Sequence, residues 1–179
     1  MDKFKATKCP FLLGIKLGEF GASPLMDNSL YRQLVGSLLY LTHSQPYLAY
    51  AVAIYMQQLH EIHWKDAKRI LHYVQGTRHF EVHYVAGSPL ELVWFTDSDW
   101  VGDSIDRKST SGYVFMLRHG PICWSNKKQH TISLSSAESE YKGAVNAATQ
   151  CVWLQDILGE LGFAFDSPTI IWCDNQDFH

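Results

Sequence analysis

Leu92-Val93-Trp94-Phe95-Thr96-Asp97-Ser98-Asp99 is the stretch whose reading decides the fold. Its apolar and aromatic run predicts a buried strand. It ends in carboxylates, and a carboxylate at the end of a buried strand is costly to desolvate unless a cation meets it. A basic side chain or a metal ion is therefore expected at that point.

Working outward, the chain changes period near Phe80. Val82-His83-Tyr84-Val85 reads as a short strand, and Gly87-Ser88-Pro89 as a turn into the opening stretch. Gly112–Leu117 and Pro121–Ser125 read as two further strands, joined by a hairpin turn at Arg118-His119-Gly120. Asn126–His130 reads as a basic loop. Ser135-Ser136-Ala137-Glu138 has the Ser-x-x-Glu form of a capping box and starts a helix that Gly162 stops. Thr169–Cys173 is a fourth apolar strand, and it too ends in a carboxylate, Asp174. Before Phe80 the period is helical: helices are expected over about 28–42, 47–60 and 64–74, with Pro46 breaking the first run. Residues before Leu25 carry glycine and proline without periodicity and read as irregular.

The order strand, strand, strand, helix, strand predicts an α/β fold with a mixed sheet. Short connections make the first three strands antiparallel, and a crossover helix lets the fourth run parallel to the first. Asp97 and Asp174 then share one sheet edge. Glu140 leads the stripe Ala144, Ala147, Cys151, Leu154 and Leu158, so it points toward the sheet, whereas Glu138 faces solvent and pairs with Lys142. Three carboxylates at one spot repel unless divalent cations sit among them, and oxygen-only ligation suits Mg2+ or Mn2+. The same pattern also describes three solvated acids at the ends of elements, and spacing alone leaves both open.

Composition sets limits. At 179 residues the chain holds one domain or two small ones. A net charge of −3 argues against nucleic-acid binding through bulk charge, but leaves room for a local basic groove. No segment has the ~20 apolar residues of a membrane span, and the N-terminus lacks a secretory pattern, so an intracellular protein without membrane contact is expected. The four cysteines are widely spaced with apolar flanks, which predicts buried thiols rather than a disulfide framework. His60 and His63 are three apart, but no third zinc ligand follows at a familiar spacing.

Several motifs carry a resemblance: Thr96–Asp103, Asp106–Tyr113, Trp124–Gln129, Leu134–Tyr141 and Cys173–Gln176. In order and spacing they resemble the ribonuclease H domain of Ty1/copia-type retrotransposon Pol polyproteins. Tyr31–Thr42 and Ala67–Thr77 resemble the end of the reverse transcriptase in the same polyproteins. The resemblance implies a helical thumb- or connection-like segment over 1–78 and a ribonuclease H-like mixed sheet over 79–179, truncated after the fourth strand. It implies that Asp97, Glu140 and Asp174 are catalytic metal ligands for Mg2+ or Mn2+. The reaction it implies is hydrolysis of the RNA strand of an RNA–DNA hybrid. Arg107, Lys108, Lys127 and Lys128 are then candidates to contact nucleic-acid phosphates, with solvated loop charge as the competing reading. The rest of a Pol polyprotein is a further expected partner.

The sequence also departs from the family pattern. The family's fourth acidic residue and last strand are not found among these 179 residues. Gln45-Pro46-Tyr47 stands where Arg-Pro-Asp is usual, and the polymerase Asp-Asp motif is absent. These departures exclude polymerisation and imply an alternative to the nuclease: a catalytically silent remnant that retains nucleic-acid or partner binding.

Overall fold

A computed structural model describes residues 5–11, 28–55, 61–87, 90–102, 106–163 and 168–173. The chain packs as two compact units, Met1–Glu81 and Val82–His179.

The first unit is helical. Its elements are α1 (Asn28–Thr42), a 3-10 turn (Pro46–Leu48), α2 (Ala49–Tyr55) and α3 (Glu61–Gly76). Tyr31, Val35 and Leu38 of α1 meet Leu48, Ala51 and Val52, and Ala67 and Ile70 of α3, in one buried cluster. Pro46 breaks the helical run as expected, but the second α-helix begins at Ala49 rather than Tyr47. Proline's fixed φ suits the first position of a tight turn, and Leu48 N–H closes that turn on the Gln45 carbonyl at 3.1 Å. Residues 5–11 are tied to α3: Arg69 Nε donates to the Cys9 carbonyl at 3.2 Å, and the Thr7 hydroxyl donates to the Arg69 carbonyl at 3.5 Å. No described helix is long and apolar enough to cross a membrane.

The second unit is α/β. Strands β1 (Leu92–Asp99), β2 (Thr110–Leu117) and β3 (Gly120–Lys128) precede helix α4 (Ser136–Glu160) and strand β4 (Ile170–Cys173). The sheet order is β3-β2-β1-β4, with β1–β2 and β2–β3 antiparallel and β1–β4 parallel. This is the mixed arrangement expected from the element order. β1 alternates: Leu92, Trp94, Thr96 and Ser98 are buried, while Phe95, Asp97 and Asp99 are exposed. Leu92 and Trp94 of this set, with Phe115, meet Ala147, Cys151, Leu154 and Leu158 of α4. Trp94 stacks on Phe115, with centroids 5.4 Å apart and planes at 16°.

Two expectations need correction. Val82–Val85 joins no ladder. Tyr84 instead reaches β3 through its side chain, its hydroxyl donating to the Pro121 carbonyl at 2.6 Å. Pro121 has no N–H to offer a further strand, so β3 is a poor ladder partner at that point. Its neighbour Gly120 leaves room for the Tyr84 ring, since a Cβ there would lie 2.5 Å from the ring edge. Asn126-Lys127-Lys128 is strand rather than loop. β2 begins at Thr110 instead of Gly112, so Lys128 pairs with Thr110 and Lys127 with Ser111. The expected hairpin turn is present but shorter: Arg118 and His119 form it, both left-handed with φ of 51° and 72°, which follows the strand twist, and Gly120 already belongs to β3. The helix ends as expected at Gly162, whose φ is 85°, and Phe163 N–H reaches back to the Leu158 carbonyl at 2.8 Å.

Candidate functional site

Helix α4 starts on a side-chain cap. The Ser135 hydroxyl accepts from Glu138 N–H at 3.2 Å. Glu138 returns a bond to Leu134 N–H at 2.7 Å and pairs with Lys142 at 2.7 Å. The Lys142 contact, followed by the backbone N–H, holds the Glu138 carboxyl below the usual range. With Glu138 committed outward, the helical period turns Glu140 inward, where it is only 6% exposed.

The Glu140 carboxylate lies against the end of β1. Ser98 N–H donates to its Oε1 at 3.2 Å, and the Cys173 thiol of β4 approaches its Oε2 at 3.7 Å. Glu140 therefore touches the backbone of the residue after Asp97 and the side chain of the residue before Asp174. The parallel register agrees with this placement. Its last pair is Thr96 with Cys173, the residues immediately before Asp97 and Asp174 in the two strands. Asp97 is exposed and follows the strand parity opposite to the face α4 covers. Asp174 lies outside the described residues. Among the described residues, no three His, Cys, Asp or Glu side chains gather closely enough to hold a metal ion.

A close helix–sheet approach makes the Glu140 contact possible. Gly143 sits one turn further along α4, and a Cβ there would lie 2.6 Å from Ser98 Oγ and 3.2 Å from Ser111 Oγ. Around this contact runs a polar network that the sequence reading did not single out. The Gln129 amide donates to Ser111 Oγ at 2.7 Å and to the Ser139 carbonyl at 2.9 Å, and its oxygen accepts from the Ser133 hydroxyl at 2.9 Å. Ser98 and Ser111 hydroxyls meet at 2.8 Å. Ser98, Ser133, Ser139 and Gln129 are all buried. A serine-rich stretch resembles loop, so the only sequence signal was the run of hydroxyl residues inside otherwise buried segments.

The four predicted phosphate contacts divide. Lys127 is exposed on β3. Lys128 is bound to Asp106 at 2.7 Å. Lys108 spends its backbone N–H on Asp106 Oδ1 at 3.1 Å, and exposed Arg107 takes a left-handed φ of 54°. Burial alone would raise the Asp106 carboxyl, but the Lys128 and Lys108 hydrogen bonds outweigh it and hold the group below its usual value. Beside the Glu140 network lies an open groove of about 540 Å³, whose lining includes Tyr113, Lys127, His130, Tyr141, Lys142 and Asn146. No disulfide joins the four cysteines, and burial pushes the Cys123 and Cys151 thiols up, away from reactivity.

Comparison with known proteins supplies the lineage. The chain is 38% identical over 174 residues to the retrovirus-related Pol polyprotein from transposon RE2 of Arabidopsis thaliana, covering 96% of this chain. The polyprotein from transposon RE1 of the same plant matches at the same identity and extent. The chain belongs to the Pol polyproteins of Ty1/copia-type retrotransposons. It spans 12% of the length of each of these two relatives. A third relative is the secreted RxLR effector protein 161 of Plasmopara viticola, 39% identical over 133 residues, which are 72% of this chain and 94% of that protein. No family model and no solved structure matches this Pol-related chain.

Proposed function

We propose that the Val82–His179 unit is a ribonuclease H-like, divalent-metal-dependent nuclease acting on the RNA strand of an RNA–DNA hybrid. One observation carries the reading: Glu140, buried on α4, is bonded to the Ser98 amide beside Asp97 and faces Cys173, the residue before Asp174. The support for a metal is the chemistry of the donor set. Asp97, Glu140 and Asp174 offer hard carboxylate oxygens, which suit Mg2+ or Mn2+. Such an ion, when bound, polarises the phosphoryl oxygen and lowers the pKa of a coordinated water. The chain's own part is orientation. Ser98 N–H commits one oxygen of Glu140, and the exposed Asp97 offers its carboxylate to solvent at the strand end.

Purified protein with Mg2+ and a labelled hybrid tests this. Cleavage is expected, falling to background in Asp97→Asn and Glu140→Gln. A parent protein that leaves the hybrid intact, or an Asp97→Asn variant that cuts as well as the parent, defeats the reading.

The groove favours a second reading, nucleic-acid binding without turnover. Lys127 and the exposed Tyr141 give it a cation and an aromatic surface. Hybrid binding measured by fluorescence anisotropy against salt is then expected to persist without metal. Lys127→Ala should reduce the slope of log K on log salt by about 1.

A further inference from the structure

We infer that Gln129 is the positioning residue for Glu140, and this inference rests on the nuclease reading only where it concerns metal. Chemistry decides the orientation of the Gln129 amide. The Ser139 carbonyl can only accept, so the Gln129 NH2 group must face it, and the amide oxygen must face the Ser133 hydroxyl. The same NH2 group donates to Ser111 Oγ at 2.7 Å and lies 3.2 Å from Ser139 Oγ. Ser111 Oγ and Ser98 Oγ share a hydrogen bond of 2.8 Å in which either hydroxyl can donate. The contacts therefore run unbroken from Gln129 through Ser111 to Ser98, whose backbone N–H holds Glu140 Oε1.

Gln129 thus acts on Glu140 from two sides. Through the Ser139 carbonyl it grips α4 at the residue before Glu140. Through Ser111 and Ser98 it fixes the strand that receives the carboxylate. Its own backbone is anchored, since Gln129 N–H donates to the Ser109 carbonyl at 2.8 Å. A buried amide with both ends engaged has little freedom to turn, and losing its donors leaves buried acceptors unpaired. The arrangement gives Glu140 one oriented carboxylate oxygen at the amide and the other at the Cys173 side. This is the role of a residue behind a metal ligand that sets its direction.

The test uses the full chain with Gln129→Met, and with Gln129→Glu as a near-isosteric variant that keeps an acceptor toward Ser133 but has no NH2 donors. Amide exchange followed by NMR in metal-free protein reads the Glu140 grip directly. Ser98 N–H is expected to exchange roughly 5- to 10-fold faster in both variants, while Trp94 N–H in the same strand keeps its protection. Mn2+ binding, followed as thermal shift, should weaken about 10- to 100-fold. Unchanged Ser98 exchange, or equal acceleration at Ser98 and Trp94, overturns the inference, the latter because a merely structural role loosens the whole strand. If the parent binds no Mn2+, the nuclease reading fails by itself, and the Ser98 exchange still decides the role of Gln129. If Gln129→Met does not fold, Gln129→Glu carries the comparison.

Discussion

Gly143 shows how little space separates α4 from the sheet. A methyl group there would need the space occupied by Ser98 Oγ, which is backed by Ser111. Gly143→Ala is expected to favour the isolated helix by up to about 1 kcal/mol, yet to lose about 1–3 kcal/mol by overpacking. Net destabilisation in urea melts, with faster Ser98 amide exchange, checks this. The Asp106–Lys128 pair gives a pH dependence. Its folded carboxyl titrates below the ordinary range of about 4. Its stabilisation is therefore present above the unfolded pKa and is lost as pH falls through the folded one. The pair is partly solvated, so the effect is under about 1 kcal/mol. Asp106→Asn should flatten the acid limb of the stability curve by that amount.

At the scale of elements, β1 and the parallel β4 were legible as apolar runs bounded by turn residues and carboxylates, and α4 by its helical stripe, its capping box and its glycine stop. The outward Glu138 and inward Glu140 separated because one begins the apolar stripe and the other has Lys142 four residues on. The end of β3 was not legible. Lys127 and Lys128 read as loop because charge signals solvent, and only the pairing partners Ser111 and Thr110 make them strand. Val82–Val85 failed in the other direction: it has strand composition but meets an edge at Pro121 that does not pair with it. The Gln129 network was not singled out because Ser98 and Ser111 lie far in sequence from Gln129, Ser133 and Ser139, and short polar residues carry no period. The α4 cap is simpler to test. Ser135→Ala should cost about 1 kcal/mol by leaving Glu138 N–H without its acceptor, and chemical denaturation would show it as a lower midpoint at constant m-value.

At the scale of the whole molecule, each unit has its own buried cluster. Ile70→Ala should destabilise the Met1–Glu81 unit by about 2–5 kcal/mol, and Phe115→Ala the Val82–His179 unit by about 3–5 kcal/mol. Hydrogen exchange resolved by residue should show protection lost in Leu38 and Val52 for the first variant and in Trp94 and Leu154 for the second. Metal response, where present, should follow the second variant alone.

The parallel pairing of β1 with β4 has a consequence in time. The partner of Thr96 is Cys173, and β2, β3 and α4 all lie between them in the chain. Loop closure of that span must precede the pairing, and contacts so distant form slowly. β1, β2 and β3 join neighbour to neighbour through a hairpin and one longer loop, so they can assemble while β4 is still being made. A chain growing from its N-terminus would then carry Asp97 and Glu140 well before Cys173 arrives. Synthesis itself becomes an interval during which β1 waits for its parallel neighbour and Glu140 for the Cys173 thiol.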